Sequence, residues 1–134
     1  MSDFGKGYNR LLAVDDDAAS AELIVRVAER CGYEAFATSD SRGVINLANA
    51  LKPDIIAVDI CMPNIDANGL FELLAQNGYD GRVLIVSGQH PEVLSAAQKK
   101  AEQLGLRVPY VQQKPLDFQK LRTMLMDRQV RAAA

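Results

Sequence analysis

Four separate segments of the sequence place an acid, a hydroxyl or an amine directly after, or shortly after, an apolar run. The residues concerned are Asp15, Asp16, Asp17, Asp59, Ser87 and Lys114. Carboxylates that lie close together repel one another and raise one another's pKa unless a cation joins them. A hard divalent cation such as Mg²⁺, which takes oxygen ligands and keeps several waters, suits such a group. The residue types therefore indicate a magnesium site, provided that the fold brings these segments together.

The same residue types suit phosphoryl transfer. This chemistry needs a nucleophile and groups that hold the negative charge on the phosphoryl oxygens. A strand-end carboxylate can accept the phosphoryl group, the Lys114 ammonium can hold one oxygen, and the Ser87 hydroxyl with a backbone N–H can hold another. Taken singly, an acid after a strand is most often a helix N-cap or a turn residue, and we expect only that role of Asp17.

Five short apolar runs alternate with helical patterns along the chain. The runs cover residues 10–14, 33–37, 54–58, 82–86 and 107–111. Runs that are apolar on both faces are typical of parallel strands covered by helices. They predict an α/β fold, a doubly wound five-stranded parallel sheet with helices on both faces. The flavodoxin-like order 2-1-3-4-5 places the fifth strand at an edge, where Pro109 is tolerated.

Apolar stripes and breaker residues predict where the helices lie and which faces they bury. Gly32, Gly78 and Gly105 mark helix ends and Pro91 marks a helix start. A final helix is expected over residues 117–128. The side chains expected to face the core from the first, second, third and final helices are Leu23, Val27, Ala28 and Cys31; Val44, Leu47, Ala48 and Leu51; Leu70, Leu73 and Leu74; and Phe118, Leu121, Met124 and Leu125. In such a sheet the ligand site lies beyond the carboxyl ends of the strands, so the four polar segments should meet at one rim.

Length and composition restrict the class of protein. A chain of 134 residues, 49% hydrophobic and 24% charged with a net charge of -2, fits one globular domain. We expect a flexible N-terminus over residues 1–9, a domain over 10–128 and a frayed tail over 129–134. The scattered Lys and Arg residues give no basic stripe for direct nucleic-acid binding. No apolar run approaches the roughly 20 residues that span a bilayer, so a cytoplasmic protein is predicted.

The cysteines and the histidine do not suggest a metal centre. Cys31 and Cys61 are far apart in the sequence with no CxxC motif, which argues against a disulfide framework and against zinc. Cys61 lies close to Asp59, but a simple loop thiol is favoured over a redox role. His90 is interpreted as a solvated loop residue.

Four short motifs, in order along the chain, resemble the signature segments of response-regulator receiver domains. They are "AVDDD" (13–17), "VDICMP" (58–63), "VSG" (86–88) and "QKP" (113–115). The resemblance covers roughly residues 10–128 and implies a stand-alone, chemotaxis-regulator-like receiver of two-component signalling. It implies a signalling protein that is no enzyme beyond accepting its own phosphoryl group and hydrolysing it.

The resemblance also implies a role for each residue of the motifs. Asp59 would be phosphorylated by a histidine kinase or a phosphotransfer protein, and a further, unknown protein would receive the signal. The Mg²⁺ ligands would be Asp16 and Asp59, the backbone carbonyl of Cys61, and Asp15 partly through water. Ser87 and Lys114 would contact the phosphoryl group.

Two features depart from the family pattern. Ala67 and Asn68 separate Asp66 from Gly69, which predicts a longer or differently shaped loop into the third helix. Receivers commonly carry an aromatic switch residue three positions before the lysine of the fifth strand, and here that position is Val111. Tyr110 takes this position only if a bulge lies between it and Lys114, and Val111 is the favoured assignment.

Two other functions compete with this interpretation. Asp15 and Asp17 form a D-x-D pair, as in phosphatases of the haloacid-dehalogenase type, but Ala18 follows where Gly or Thr is usual and Asp59 would have no role. The second alternative is an interaction module that keeps the receiver fold without being phosphorylated. The retained acids, Ser87 and Lys114 argue against it.

Overall fold

Five parallel strands form one sheet in a computed structural model that describes residues 9–61 and 67–127. The strands are β1 (Asn9–Val14), β2 (Tyr33–Thr38), β3 (Ile55–Asp59), β4 (Arg82–Ser87) and β5 (Arg107–Gln113). Their order is β2-β1-β3-β4-β5, which confirms the predicted flavodoxin-like topology. Each strand lies within two residues of the sequence prediction. The sheet edges are β2 and β5, so Pro109 does lie on an edge strand.

Five α-helices within the described residues cover the two faces of the sheet. They are α1 (Ala18–Arg30), α2 (Val44–Leu51), α3 (Ala67–Gln76), α4 (Pro91–Gln103) and α5 (Phe118–Met126), with a single 3-10 turn at Ser41–Gly43 before α2. Helices α1 and α5 enclose one apolar cluster. Helices α2, α3 and α4 enclose the other. No helix within the described ranges is long and apolar enough to cross a bilayer.

The central strand β3 explains why an acid ends an apolar run. It pairs with β1 on one side and β4 on the other, and helices cover both of its faces, so all five of its residues are buried. Four of the five are apolar. Asp59 is the fifth, at the carboxyl end, where the sheet opens toward the rim.

Helix ends follow the predicted breakers. Gly32, Gly78 and Gly105 adopt positive φ values of 90°, 72° and 96° just after α1, α3 and α4, a conformation that glycine adopts without a steric penalty. Pro91 begins α4. Asp17 caps the N-terminus of α1 by accepting a hydrogen bond from the N–H of Ala19, which confirms its expected role.

Two side chains that were expected in the core are exposed. Phe118 is 60% exposed and Leu73 is 47% exposed, so the prediction is wrong for both. Phe118 is the first residue of α5, ahead of the turns that pack Leu121 and Leu125 into the core. Leu73 lies on α3 beside Leu74, and the narrow buried stripe of that helix takes Leu70, Phe71 and Leu74 instead.

Strand β5 contains a bulge that the sequence did not reveal. Arg82 of β4 pairs with Arg107, and Leu84 pairs with Tyr110, so two steps along β4 correspond to three along β5. In a regular strand, residues two apart share a face. Here Val108 packs against the α2–α3–α4 side and Tyr110 against the α1–α5 side. The extra residue lies between Arg107 and Tyr110, at the position of Val108 and Pro109.

The predicted chain ends lie largely outside the described residues. Residues 1–8 and 128–134 belong to that part, and Asn9 is the first residue of β1. Asp66 of the predicted longer loop is also outside the described ranges. Ala67, Asn68 and Gly69 form the first turn of α3.

Candidate functional site

The polar residues at the carboxyl ends of β1, β3, β4 and β5 meet at one rim. Asp15 follows β1 and is 2% exposed, Asp59 ends β3 and is 5% exposed, and Ser87 ends β4 with no exposed surface. Asp16 is exposed beside them. The backbone N–H of Lys114 donates to the Ser87 carbonyl at 2.7 Å, which holds the lysine next to the end of β4.

A single ammonium group joins the two buried carboxylates. Lys114 Nζ lies 3.1 Å from Asp15 Oδ2 and 3.0 Å from Asp59 Oδ2, although the residues are 99 and 55 positions apart in the sequence. The other oxygen of each acid accepts a backbone hydrogen bond. Asp15 Oδ1 accepts from Asp17 N at 2.9 Å, and Asp59 Oδ1 accepts from Cys61 N at 2.8 Å. Both carboxylates are therefore fixed in orientation.

The charges at the rim shift one another's proton affinities. Burial raises the pKa of Asp15 above its ordinary value, against the lowering effect of the Asp17 N–H and of Lys114. Burial alone would lower the pKa of Lys114, but its hydrogen bonds to Asp59 and Asp15 outweigh burial and raise that pKa. The two acids thus keep Lys114 in its charged form.

The carboxylates of Asp15, Asp16 and Asp59 suit a small divalent cation. One oxygen atom from each lies within 4.8 Å of the others. Two ligands of one Mg²⁺ ion lie at most about 4.2 Å apart, because each bond is about 2.1 Å long. The spacing of the three carboxylates is thus close to what one such ion needs. Asp16 is on the solvent side, where an ion can keep the waters that Mg²⁺ releases reluctantly.

The Ser87 hydroxyl is held by the loop that follows β4. Ser87 Oγ accepts a hydrogen bond from Gln89 N at 3.0 Å. Within the described part of the chain it makes no hydrogen bond to Asp59. The Ser87 hydroxyl therefore does not donate its proton to the Asp59 carboxylate.

Two glutamines at the rim were not identified from the sequence. Gln89 Nε2 donates to Cys61 Sγ at 3.2 Å, and Gln113 Nε2 donates to the Gln89 carbonyl at 3.0 Å. Gln113 stands beside Lys114 in the "QKP" motif, and this proximity was the only available signal. Gln89 gave none, since an exposed amide in a loop is ordinary.

The two candidates for the switch position lie on opposite faces of β5. Val111 packs against the side of α2, α3 and α4, whereas Tyr110 packs against the side of α1 and α5. The pairing of β5 with β4 is regular from Tyr110 to Gln113. The bulge that would give Tyr110 the switch spacing has to lie after Tyr110, and the observed bulge lies before it.

His90 has a structural role that the sequence interpretation missed. It is exposed, as expected of a solvated loop residue, but its Nδ1 accepts a hydrogen bond from Glu92 N at 3.2 Å and so caps α4.

Cys61 is exposed and Cys31 is buried, and neither thiol is part of a disulfide.

Curated relatives match a part of this chain. The response regulator MprA of Mycolicibacterium vanbaalenii is 30% identical over 80 residues, which are 60% of this chain and 35% of the relative. The alkaline phosphatase synthesis transcriptional regulatory protein PhoP of Bacillus subtilis is 28% identical over 83 residues, 62% of this chain and 35% of the relative. The chain thus spans about a third of the length of the curated relatives it matches.

Solved structures match nearly the whole chain. A response regulator from Colwellia psychrerythraea superposes with a TM-score of 0.78 at 29% identity, covering 89% of this chain and 94% of that one. The signal receiver domain of a response regulator from Bermanella marisrubri gives a TM-score of 0.72 at 26% identity, covering 87% and 93%.

The match to a family as a whole agrees with these pairwise similarities. The family model of the response regulator receiver domain matches residues 11–126, a range that begins in β1 and ends at the last residue of α5. The sheet order and the acids and lysine at the rim agree with this match. The chain therefore belongs to the response regulator receiver domain family.

Proposed function

We propose that this chain is a cytoplasmic response regulator that accepts a phosphoryl group on Asp59 in the presence of Mg²⁺. The donor is a phosphohistidine of a histidine kinase or a phosphotransfer protein. The observation that carries the proposal is the Lys114 ammonium, which lies within hydrogen-bond distance of both Asp59 and Asp15. A lysine in this place can hold the charge that accumulates on a phosphoryl group attached to Asp59.

The reaction needs little covalent assistance beyond the nucleophile. A lone pair on a carboxylate oxygen of Asp59 forms the new O–P bond as the P–N bond of the phosphohistidine breaks, and the imidazole nitrogen keeps that electron pair. The Cys61 N–H, which donates to Oδ1, keeps the carboxylate in one orientation for this attack. When bound, Mg²⁺ supplies positive charge that neutralises the phosphoryl oxygens.

The residues that would hold the ion are Asp15, Asp16 and Asp59, with the Cys61 backbone carbonyl as the fourth protein ligand. Their support is the 4.8 Å grouping of the three carboxylates and the exposure of Asp16. Lys114 and the Ser87 hydroxyl then remain to contact the phosphoryl oxygens. The phosphorylated protein signals through altered binding to another protein or through onward phosphotransfer.

The rim does not favour a phosphatase of the haloacid-dehalogenase type. Such an enzyme would use both acids of the D-x-D pair, but Asp17 already accepts hydrogen bonds from Ala19 N at 3.0 Å and Ser20 Oγ at 3.0 Å. Asp17 is thus occupied as the cap of α1. An unphosphorylated interaction module, in turn, would have no need to bury two carboxylates around one ammonium.

Intact-mass measurement after incubation with a small phosphodonor and Mg²⁺ tests the proposal. We expect one added phosphoryl group on the wild-type chain and none on Asp59→Asn. Asp54→Asn is a matched control, because Asp54 is a buried acid immediately before the opposite end of the same strand, and it should be labelled like the wild type. Lys114→Ala should accept the phosphoryl group but respond weakly to it. Equal labelling of wild type and Asp59→Asn would contradict the proposal.

A further inference from the structure

Three hydrogen bonds converge on Gln89, in the loop between β4 and α4. Its backbone N–H donates to Ser87 Oγ at 3.0 Å, its side-chain Nε2 donates to Cys61 Sγ at 3.2 Å, and its carbonyl accepts from Gln113 Nε2 at 3.0 Å. Cys61 follows β3 and Gln113 ends β5. Gln89 is therefore bonded to residues at the ends of β3 and β5 while its own N–H contacts the Ser87 hydroxyl of β4, the strand between them. We refer to Cys61, Gln89 and Gln113 as the clasp.

The bond from Gln89 N determines what the Ser87 hydroxyl can do. A hydroxyl has one proton to donate and two lone pairs that accept. Because one lone pair of Ser87 Oγ already takes the Gln89 N–H, the oxygen is fixed in place and its proton remains available as a donor. A donor toward the rim is what a phosphoryl oxygen on Asp59 requires.

We propose that Gln89 is a positioning residue, which acts through Ser87 by means of the clasp. The inference rests on the function proposed above. The clasp holds the Gln89 backbone so that its N–H stays aimed at Ser87 Oγ, and the serine oxygen is held in place, with its proton free to donate, before a phosphoryl group arrives. Groups that are oriented in advance stabilise charge without the cost of reorganisation.

The surroundings of the clasp separate this role from a structural one. Cys61, Gln89 and Gln113 are all exposed, whereas Ser87 is completely buried. Truncating an exposed glutamine removes little packing and leaves the apolar clusters intact. A change in the site after such a truncation must therefore act through the hydrogen bonds.

Binding of a phosphoryl mimic measures the effect. Isothermal titration with beryllium fluoride in the presence of Mg²⁺ should give an affinity about threefold lower for Gln89→Ala and for Gln113→Ala, and about tenfold lower for the two together. Gln98→Ala is the matched control, because Gln98 Nε2 also donates to a backbone carbonyl, that of Val108 at 2.8 Å, away from the rim. It should bind like the wild type.

Two further variants show whether the effect passes through Ser87. In a Ser87→Ala background, Gln89→Ala should cause no additional loss of affinity. Cys61→Ser, whose hydroxyl can accept the Gln89 Nε2 bond, should retain more affinity than Cys61→Ala. Both exchanges keep the Cys61 backbone, so the proposed metal ligand at that residue is unchanged.

Hydrogen exchange provides a readout that needs no ligand. Because the Gln89 N–H is bonded to Ser87 Oγ, its exchange should become about threefold faster when the clasp is opened by Gln89→Ala or Gln113→Ala, and remain unchanged in Gln98→Ala. A peptide or NMR signal covering Gln89 reports it in the absence of any phosphoryl mimic.

The possible results separate the two proposals. Failure of the wild type to bind the mimic in an Asp59-dependent way would refute the proposed function. Normal wild-type binding with unchanged or tighter binding in the clasp variants would refute only the role of Gln89, as would an equal loss in the Ser87→Ala background.

Discussion

The Tyr110 phenol donates a hydrogen bond to the carboxylate of Asp127, joining β5 to the C-cap residue that follows α5. This bond raises the pKa of Tyr110 above its ordinary value. A second phenol, that of Tyr33 on β2, donates to the Leu125 carbonyl at 2.7 Å. Tyrosines of both edge strands thus form hydrogen bonds with the C-terminal end of α5. For Tyr110, this structural partner lies on the side of β5 away from α4.

The attachment of Tyr110 to α5 leads to a prediction about signal output. Val111 is in contact with the apolar cluster beneath α4, so Val111→Phe should reduce the change in α4 hydrogen exchange that a phosphoryl mimic produces. Tyr110→Phe removes the Asp127 bond and should lower the melting temperature while leaving that change intact. Exchange measurements over Pro91–Gln103 with and without beryllium fluoride test both. Loss of the response in Tyr110→Phe alone would assign the switch to the tyrosine.

The three clustered carboxylates lead to a prediction about metal and stability. Asp15, Asp16 and Asp59 repel one another in the metal-free protein, so Mg²⁺ should raise the melting temperature through linkage. Asp16→Asn should stabilise the metal-free protein and abolish the response to Mg²⁺. Thermal unfolding over a magnesium titration is the measurement, with Asp80→Asn, a change to an exposed acid distant from the rim, as the control. An Asp16→Asn protein that keeps the full wild-type shift would locate the ion elsewhere.

The raised pKa of Lys114 predicts the pH dependence of stability at this site. The folded protein holds the Lys114 proton more tightly than the unfolded chain does. The pKa of Lys114 is therefore raised above its ordinary value of 10.5, which we take for the unfolded chain. The stabilisation is therefore complete below pH 10.5 and is lost as the pH rises through the folded-state pKa. The free energy of unfolding of the wild type should exceed that of Lys114→Met near about pH 7, and this difference should shrink toward about pH 11 and beyond. A difference that is constant or widens with pH would contradict the assignment.

The unequal burial of two apolar residues on α5 predicts unequal costs of truncation. Leu121 has no exposed surface, so Leu121→Ala should lower the free energy of unfolding by about 2–5 kcal/mol. Phe118 is 60% exposed, and Phe118→Ala should change the free energy of unfolding by only about 0.5 kcal/mol. Urea unfolding of the two variants beside the wild type gives both values. Similar costs for the two would show that Phe118 is packed in solution.

Much of the fold followed from the sequence because burial on both sides leaves a clear pattern. The run before Asp59 is apolar throughout since β3 is covered on two faces, and parallel pairing brings the ends of such strands to one rim. The positions of Asp15, Asp59, Ser87 and Lys114 at that rim could be predicted for this reason. Their chemical roles remain predictions.

Other features depend on contacts between distant segments and left no local pattern. Helical spacing placed Phe118 and Leu73 on apolar stripes, but it cannot show where the sheet ends or how wide the buried stripe is. The bulge of β5 lies in a stretch that is equally apolar with or without it, and Pro109 indicated only an edge strand. The bonds of Gln89 join residues 24 and 28 positions apart, and exposed amides carry no signal for such pairing.

The bulge at Val108 and Pro109 affects how the sheet meets other molecules. An edge strand presents unpaired backbone groups on which a foreign strand can add, and proline and bulges both interrupt that row. β5 has both interruptions near its amino end, whereas β2, "YEAFAT", pairs in register with β1 along all six residues and contains neither. The two edge strands are therefore unequally protected against the addition of a foreign strand. β2 is the edge whose row of backbone groups is uninterrupted.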